Sequence, residues 1–184
     1  AFERASRGKR NSPEVVAFAA DLEGRLERLR RQLLVGDVEV GRSRRFLVHD
    51  PKPRVIHAPC FEERVLHHAL MAPMAPVLDR GLVADTYACR EGKGALAAVQ
   101  RARHHPRRRP WFAQIDIKGY FASIDHAVLL ALLARTFKNR QLLALVARIV
   151  GAHEDAPGRG LPIGALTSQH FANAYLASAD RHLL

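Results

Sequence analysis

Asp116 is the residue whose type and position most directly suggest chemistry. It closes an apolar run, Trp111–Ile115, and opens the string Asp116-Ile117-Lys118-Gly119-Tyr120-Phe121-Ala122-Ser123-Ile124-Asp125. A carboxylate at the end of a buried strand must be solvated, paired or bound to a metal, because burying it bare is too costly. A salt-bridged or capping aspartate and a cation ligand both satisfy that requirement. Asp125 precedes His126-Ala127-Val128-Leu129 and reads as a helix N-cap. A second string, Gly160-Leu161-Pro162-Ile163-Gly164-Ala165-Leu166-Thr167-Ser168-Gln169, runs a Gly/Pro loop into a helix. Such a loop can hold a flat ligand against bare backbone, or it can serve simply as a tight turn. A third group is basic: Lys52, Arg54, Arg64, Arg90 and Lys93, followed by the run Arg107-Arg108-Arg109. Each is a solvated surface charge or a phosphate contact.

The charge balance gives those basic residues a direction. Lys and Arg total 29 against 18 Asp and Glu, a net charge of +11 in 184 residues. All but five of the 29 are Arg, whose planar fork suits phosphate. A polyanionic partner follows, with nucleic acid ahead of a membrane surface; GC-rich codon usage would also raise Arg. Apolar residues at 48% and charged residues at 26% are ordinary for a globular chain of about one domain. Cys60 and Cys89 form no zinc or redox motif, although a disulfide between them stays open. The basic N-terminus is unlike a signal peptide. The longest uncharged stretch, 160–179, contains Thr167, Ser168, Gln169, His170 and Asn173 and does not read as a membrane span. A soluble, cytoplasmic protein without a membrane partner is expected.

The elements that must position these residues follow from periodicity. Residues 12–34 read as one helix, with Ser12 as cap, Pro13 in the first turn and Val15, Phe18, Leu22, Leu26, Leu29 and Leu33 as its stripe. Phe46–His49 and Arg54–Ala58 read as a hairpin turned at Asp50-Pro51-Lys52-Pro53. Phe61 to about Met71 reads as a helix that Pro73 and Pro76 bend or restart. Thr86–Ala88 is expected extended, and Gly92-Lys93-Gly94 opens a further helix. Trp111–Ile115 is expected as a buried strand. Helices follow at about 126–136, at 139–150, and from about Leu166 to the end. The fold class is α+β, helix-rich with a short antiparallel sheet.

In this order and spacing the strings resemble the fingers and palm of a reverse transcriptase. They are Asp50-Pro51-Lys52-Pro53-Arg54-Val55-Ile56, Phe61-Glu62-Glu63-Arg64-Val65-Leu66-His67-His68-Ala69-Leu70, Thr86-Tyr87-Ala88-Cys89-Arg90-Glu91-Gly92-Lys93-Gly94, Asp116–Ile124 and Gly160–Leu176. The resemblance implies one domain over residues 1–184, about 10–110 as fingers and 111–184 as partial palm, with the thumb absent. It implies an RNA-directed DNA polymerase of a bacterial or phage retroelement. Such an enzyme adds dNTPs to a DNA or RNA primer on an RNA template, with Mg²⁺ or Mn²⁺. Group II intron and retron enzymes usually read PQG, then SP, in the Gly/Pro loop; here Pro162-Ile163-Gly164 precedes Ser168-Gln169. That version resembles the diversity-generating retroelement branch, whose enzymes misincorporate opposite adenine and work with a small basic accessory protein.

Carried over by position, the resemblance makes Asp116 a metal-binding catalytic carboxylate and the carbonyl of Ile117 a further ligand. Lys52 and Arg54 would grip the incoming triphosphate, and Phe121 would crowd the sugar 2′-position. Ile163, Gly164 and Gln169 would shape the nucleotide pair, with Ser168 toward the template. Arg64, Arg90, Lys93, Arg107, Arg108 and Arg109 would meet template or primer phosphates. The family's Tyr-x-Asp-Asp hairpin is not in the string, so a clipped polymerase, inactive as these 184 residues, is expected. The alternative is a non-catalytic, basic RNA-binding module derived from the same fold.

Overall fold

The structure, a computed structural model, describes residues 1–49, 52–104 and 111–183. Among them the chain is helix-rich with one two-stranded antiparallel sheet, an α+β composition. It begins with α1 (Phe2–Ser6) and α2 (Pro13–Ala19), the second opened by Pro13, whose missing N–H costs nothing at that position. The single helix expected over 12–34 is broken: α3 (Leu22–Val35) starts anew after Asp21. Asp21 leaves helical geometry at φ −135, and its carboxylate folds over Gly24, where a Cβ would sit only 2.5 Å from Oδ1. The break lets Phe18 from α2 and Leu29 from α3 enter the same apolar cluster. Ser12 makes no capping bond. Gly36, at φ 76, ends α3 in a left-handed cap.

β1 (Ser43–His49) and β2 (Pro53–Pro59) pair in register, with Phe46 opposite Ile56 and Val48 opposite Arg54. α4 (Phe61–Arg80) then runs without restarting through Pro73 and Pro76. Both prolines face solvent, so the carbonyls they leave unbonded can meet water, while Leu70, Met71, Met74 and Leu78 stay buried. Thr86–Ala88 lies among turns rather than in a strand, and Cys89 takes a left-handed conformation at φ 54. Cys60 and Cys89 are free thiols. α5 (Ala95–Ala102) follows.

The largest departure from expectation is Trp111–Ile115. It is neither a strand nor buried: Trp111 is 89% exposed, Phe112 90% and Ile115 75%. Apolar content suits a strand only where an edge is offered for its backbone to bond, and among the described residues the only ladder is β1 with β2.

The chain closes with α6 (Tyr120–Ser123), α7 (His126–Thr136), α8 (Arg140–Gly151) and α9 (Leu166–Leu183). Asp125 caps α7 as expected, accepting from the Val128 N–H at 3.0 Å, and Asn139 caps α8 in the same way. Two cores result. Phe18, Phe61, Val65 and Leu66 join α1, α2 and α3 to the start of α4. Met74, Leu129, Leu133, Val146, Val150 and Phe171 join the rest of α4 to the last three helices. No helix among the described residues is long and apolar enough to cross a membrane.

Candidate functional site

The Gly/Pro loop is the joint of the molecule. On one side it extends the hairpin: the His57 N–H on β2 donates to Ile163 O at 2.7 Å. Gly164, at φ +116, allows this approach, since a Cβ there would lie 2.7 Å from His57 O and 2.8 Å from Ile56 Cγ2. On the other side the loop bonds the turn after Asp116. Leu161 N–H donates to Phe121 O and Gly160 N–H to Ile124 O, both at 2.9 Å. His126 donates from Nε2 to Gly160 O at 2.7 Å, which fixes its tautomer. Tyr120 Oη donates to Ala172 O on α9 at 2.6 Å. Burial pushes ionisation of that hydroxyl well above its ordinary range, so it stays a donor.

Phe121, Ile163 and Gly164, three of the expected nucleotide residues, therefore lie on segments that these bonds join. Phe121 packs at the edge of the larger core, its ring 5.8 Å from that of Tyr120. Ile163 is partly exposed, Gly164 lies against β2, and Gln169 is half-buried on the first turn of α9. Arg54 is on the same strand, opposite Val48 and exposed, with Lys52 exposed just before it. Ser168, expected toward the template, is buried instead at the start of α9. Asp116 and Ile117 stand on the exposed irregular segment. Among the described residues no group of three His, Cys, Asp or Glu side chains is arranged to hold a metal ion.

The basic residues divide. Arg64 bonds Glu14 at 2.8 Å and lies over the Phe61 ring. Arg90 grips Asp79 with two nitrogens, at 3.0 and 3.2 Å, and donates to the carbonyls of Val83 and Thr86. Lys93 donates to Ala84 O at 2.6 Å and sits over Tyr87. These three charges brace the scaffold around α4 and the following turns. Arg107, Arg108 and Arg109 lie outside the described residues.

The sequence reading passed over Tyr120 and His126, which lock the loop. It also passed over Glu63 and His67, one helical turn apart in an apolar stretch of α4; polar residues at that spacing on a buried face were the available signal.

No family model matches the chain. Curated relatives do, at low identity. The chain is 23% identical over 177 residues to Protein YkfC of Escherichia coli, covering 89% of this chain and 46% of that protein. It is 23% identical over 139 residues to the group II intron-encoded protein LtrA of Lactococcus lactis subsp. cremoris, covering 72% and 23%. It is 24% identical over 159 residues to an uncharacterized protein in the cob intron of Schizosaccharomyces pombe, covering 83% and 18%. The chain thus spans less than half the length of these relatives, two of which are named for introns.

Proposed function

We propose that the chain forms the fingers and part of the palm of a retroelement RNA-directed DNA polymerase. One observation carries this reading: the Gly160–Gly164 loop is bonded at once to the basic hairpin and to the turn that follows Asp116. In this reading Lys52 and Arg54 of the hairpin would supply the triphosphate-binding cations, Phe121 the sugar-facing aromatic and the loop a backbone cradle. The similarity to a group II intron-encoded protein and to a protein of the cob intron supports the same reading.

Arg54, with Lys52, would hold the triphosphate of an incoming nucleotide. Phe121 would press on the sugar where a 2′-hydroxyl stands, favouring dNTPs. Asp116 and the carbonyl of Ile117 are hard oxygen donors of the kind Mg²⁺ takes alongside substrate phosphates, and Asp116 is exposed enough to be reached. When bound, a divalent pair supplies charge stabilisation to the attacking and leaving oxygens of nucleotidyl transfer. Such a pair needs more carboxylates than Asp116; the relatives' greater length leaves room for them in a longer protein.

The test is primer extension by the full-length natural protein on a primed RNA template with dNTPs and Mg²⁺. Templated DNA synthesis is expected. Salt-dependent RNA binding with no extension would overturn the polymerase reading and leave the basic RNA-binding module. Ile163 offers the nucleotide no hydrogen bond, so it loosens selection. Ile163→Gln is expected to lower misincorporation opposite template adenine, and equal error rates would remove that role.

A further inference from the structure

A cavity of about 40 Å³ lies between the base of the hairpin, α4, the end of α8 and the start of α9. Glu63, His67, His57, His153, Thr167 and Ser168 contribute to its wall. The rest of the wall is mostly apolar, so the space, large enough for a few waters, can hold them only at its Glu63–His67 side. Glu63 is fully engaged: Oε1 accepts from the Gly41 N–H at 2.9 Å and Oε2 from the Arg42 N–H at 2.8 Å. Those two residues lead directly into β1, so this buried carboxylate ties the hairpin base to α4. One helical turn on, the His67 side chain is 3% exposed, with Nε2 3.6 Å from Glu63 Oε1, beyond hydrogen-bond length. Neither ring nitrogen of His67 has a protein partner among the described residues. An orphan buried imidazole is destabilising unless water completes it, and this cavity has room for that water.

We propose that Glu63 and His67, with water in this cavity, form a proton-sensitive joint that holds the hairpin base to α4 near neutral pH and releases it in acid. A proton on His67 would place a cation where burial disfavours one, so between pH 6.5 and about 4 protonation favours opening of the ring to solvent. Burial, helped by neighbouring His68, lowers the His67 pKa to about 4. Glu63 Oε1, 3.6 Å away, would attract the cation, but burial of the ring outweighs that attraction. The other facing groups give little help. His57 on β2 and His153 after α8 stand ring to ring at 4.5 Å, and burial, His153 and Arg45 lower His57. Arg42 faces Glu63 from the hairpin side. Asp155 favours protonation of His57, and its carboxylate meets His153 at 3.2 Å.

The sign follows from linkage. His67 has a closed-state pKa below its free value of 6.5, so its contribution is complete above that pH and is lost toward about 4. Glu63 shifts the other way: burial raises it, so the closed state gains from its protonation in acid. That gain costs acceptor strength toward Gly41 and Arg42. The joint depends on neither RNA nor catalysis and stands apart from the polymerase reading.

Amide exchange at Gly41 and Arg42, corrected for intrinsic rates, tests it on the full-length natural protein between pH 7 and pH 5. Protection should fall about tenfold in the unaltered chain and by no more than about twofold in His67→Gln. The same fall in both, or no fall in the unaltered chain, overturns the proposal. Should His67→Gln fail to fold, the ring titration of His67 decides on the unaltered chain by NMR. A midpoint below about 5.5 supports the joint, and one above it overturns the joint.

Discussion

The loop around Gly164 and the segment around Asp116 are both rich in apolar residues, yet they fold in opposite ways. Residues 160–164 bond to β2 on one side and to the Phe121–Ile124 turn on the other. Residues 111–117 form no regular element, and Trp111, Phe112 and Ile115 face solvent. The loop has an edge and a turn waiting for its backbone; the Asp116 segment has neither among the described residues. Backbone bonding opportunity, rather than side-chain hydrophobicity alone, decides which apolar string becomes fixed. Among the described residues, the candidate site is therefore backbone-bonded at the loop that would recognise a nucleotide and without regular structure where it would hold a cation.

That contrast sets the scale of three stability predictions. Phe171, buried where α9 meets the larger core, anchors the rigid side. Phe171→Ala should cost about 3–5 kcal/mol in denaturant unfolding of the chain, and a loss under ~1 kcal/mol would mean that α9 is not fixed there. Gly164→Ala attacks the contact itself, through a left-handed φ and the clash with His57 O. A cost of about 2 kcal/mol is expected, with the His57 amide losing exchange protection; an unchanged melt would separate the loop from β2. Ile115→Ser probes the unpaired side and should shift stability by no more than about 0.5 kcal/mol. A loss above ~2 kcal/mol would show that Ile115 is packed and erase the contrast.

Much of this was legible from local signals. The 3.6-residue period gives α7 and α8 to within a residue at each end, and Asp125 marks the start of α7 in the sequence; Asn139, which caps α8, carries the same signal. The strand pairing agrees with the hairpin expected from the string 50–53, of which Asp50 and Pro51 lie outside the described residues. Long-range geometry was not legible. Nothing near Asp21 marks the break that brings Phe18 and Leu29 into one cluster. Arg90 reads as a surface cation until Asp79, eleven residues earlier, is folded against it. Ser168 reads as available until Phe171 and Ala172 fix which face of α9 is buried. Trp111–Ile115 reads as a strand from composition alone, and composition names no partner.

The most direct measurement is primer extension by the full-length natural protein with and without Asp116→Asn, followed beside RNA affinity and the unfolding midpoint. Because Asp116 is exposed and unpacked, the account predicts extension reduced by about 10³-fold or more, with RNA affinity and the midpoint unchanged. Extension that survives the substitution would contradict it, removing Asp116 from the chemistry and leaving the Gly164 junction as a binding surface.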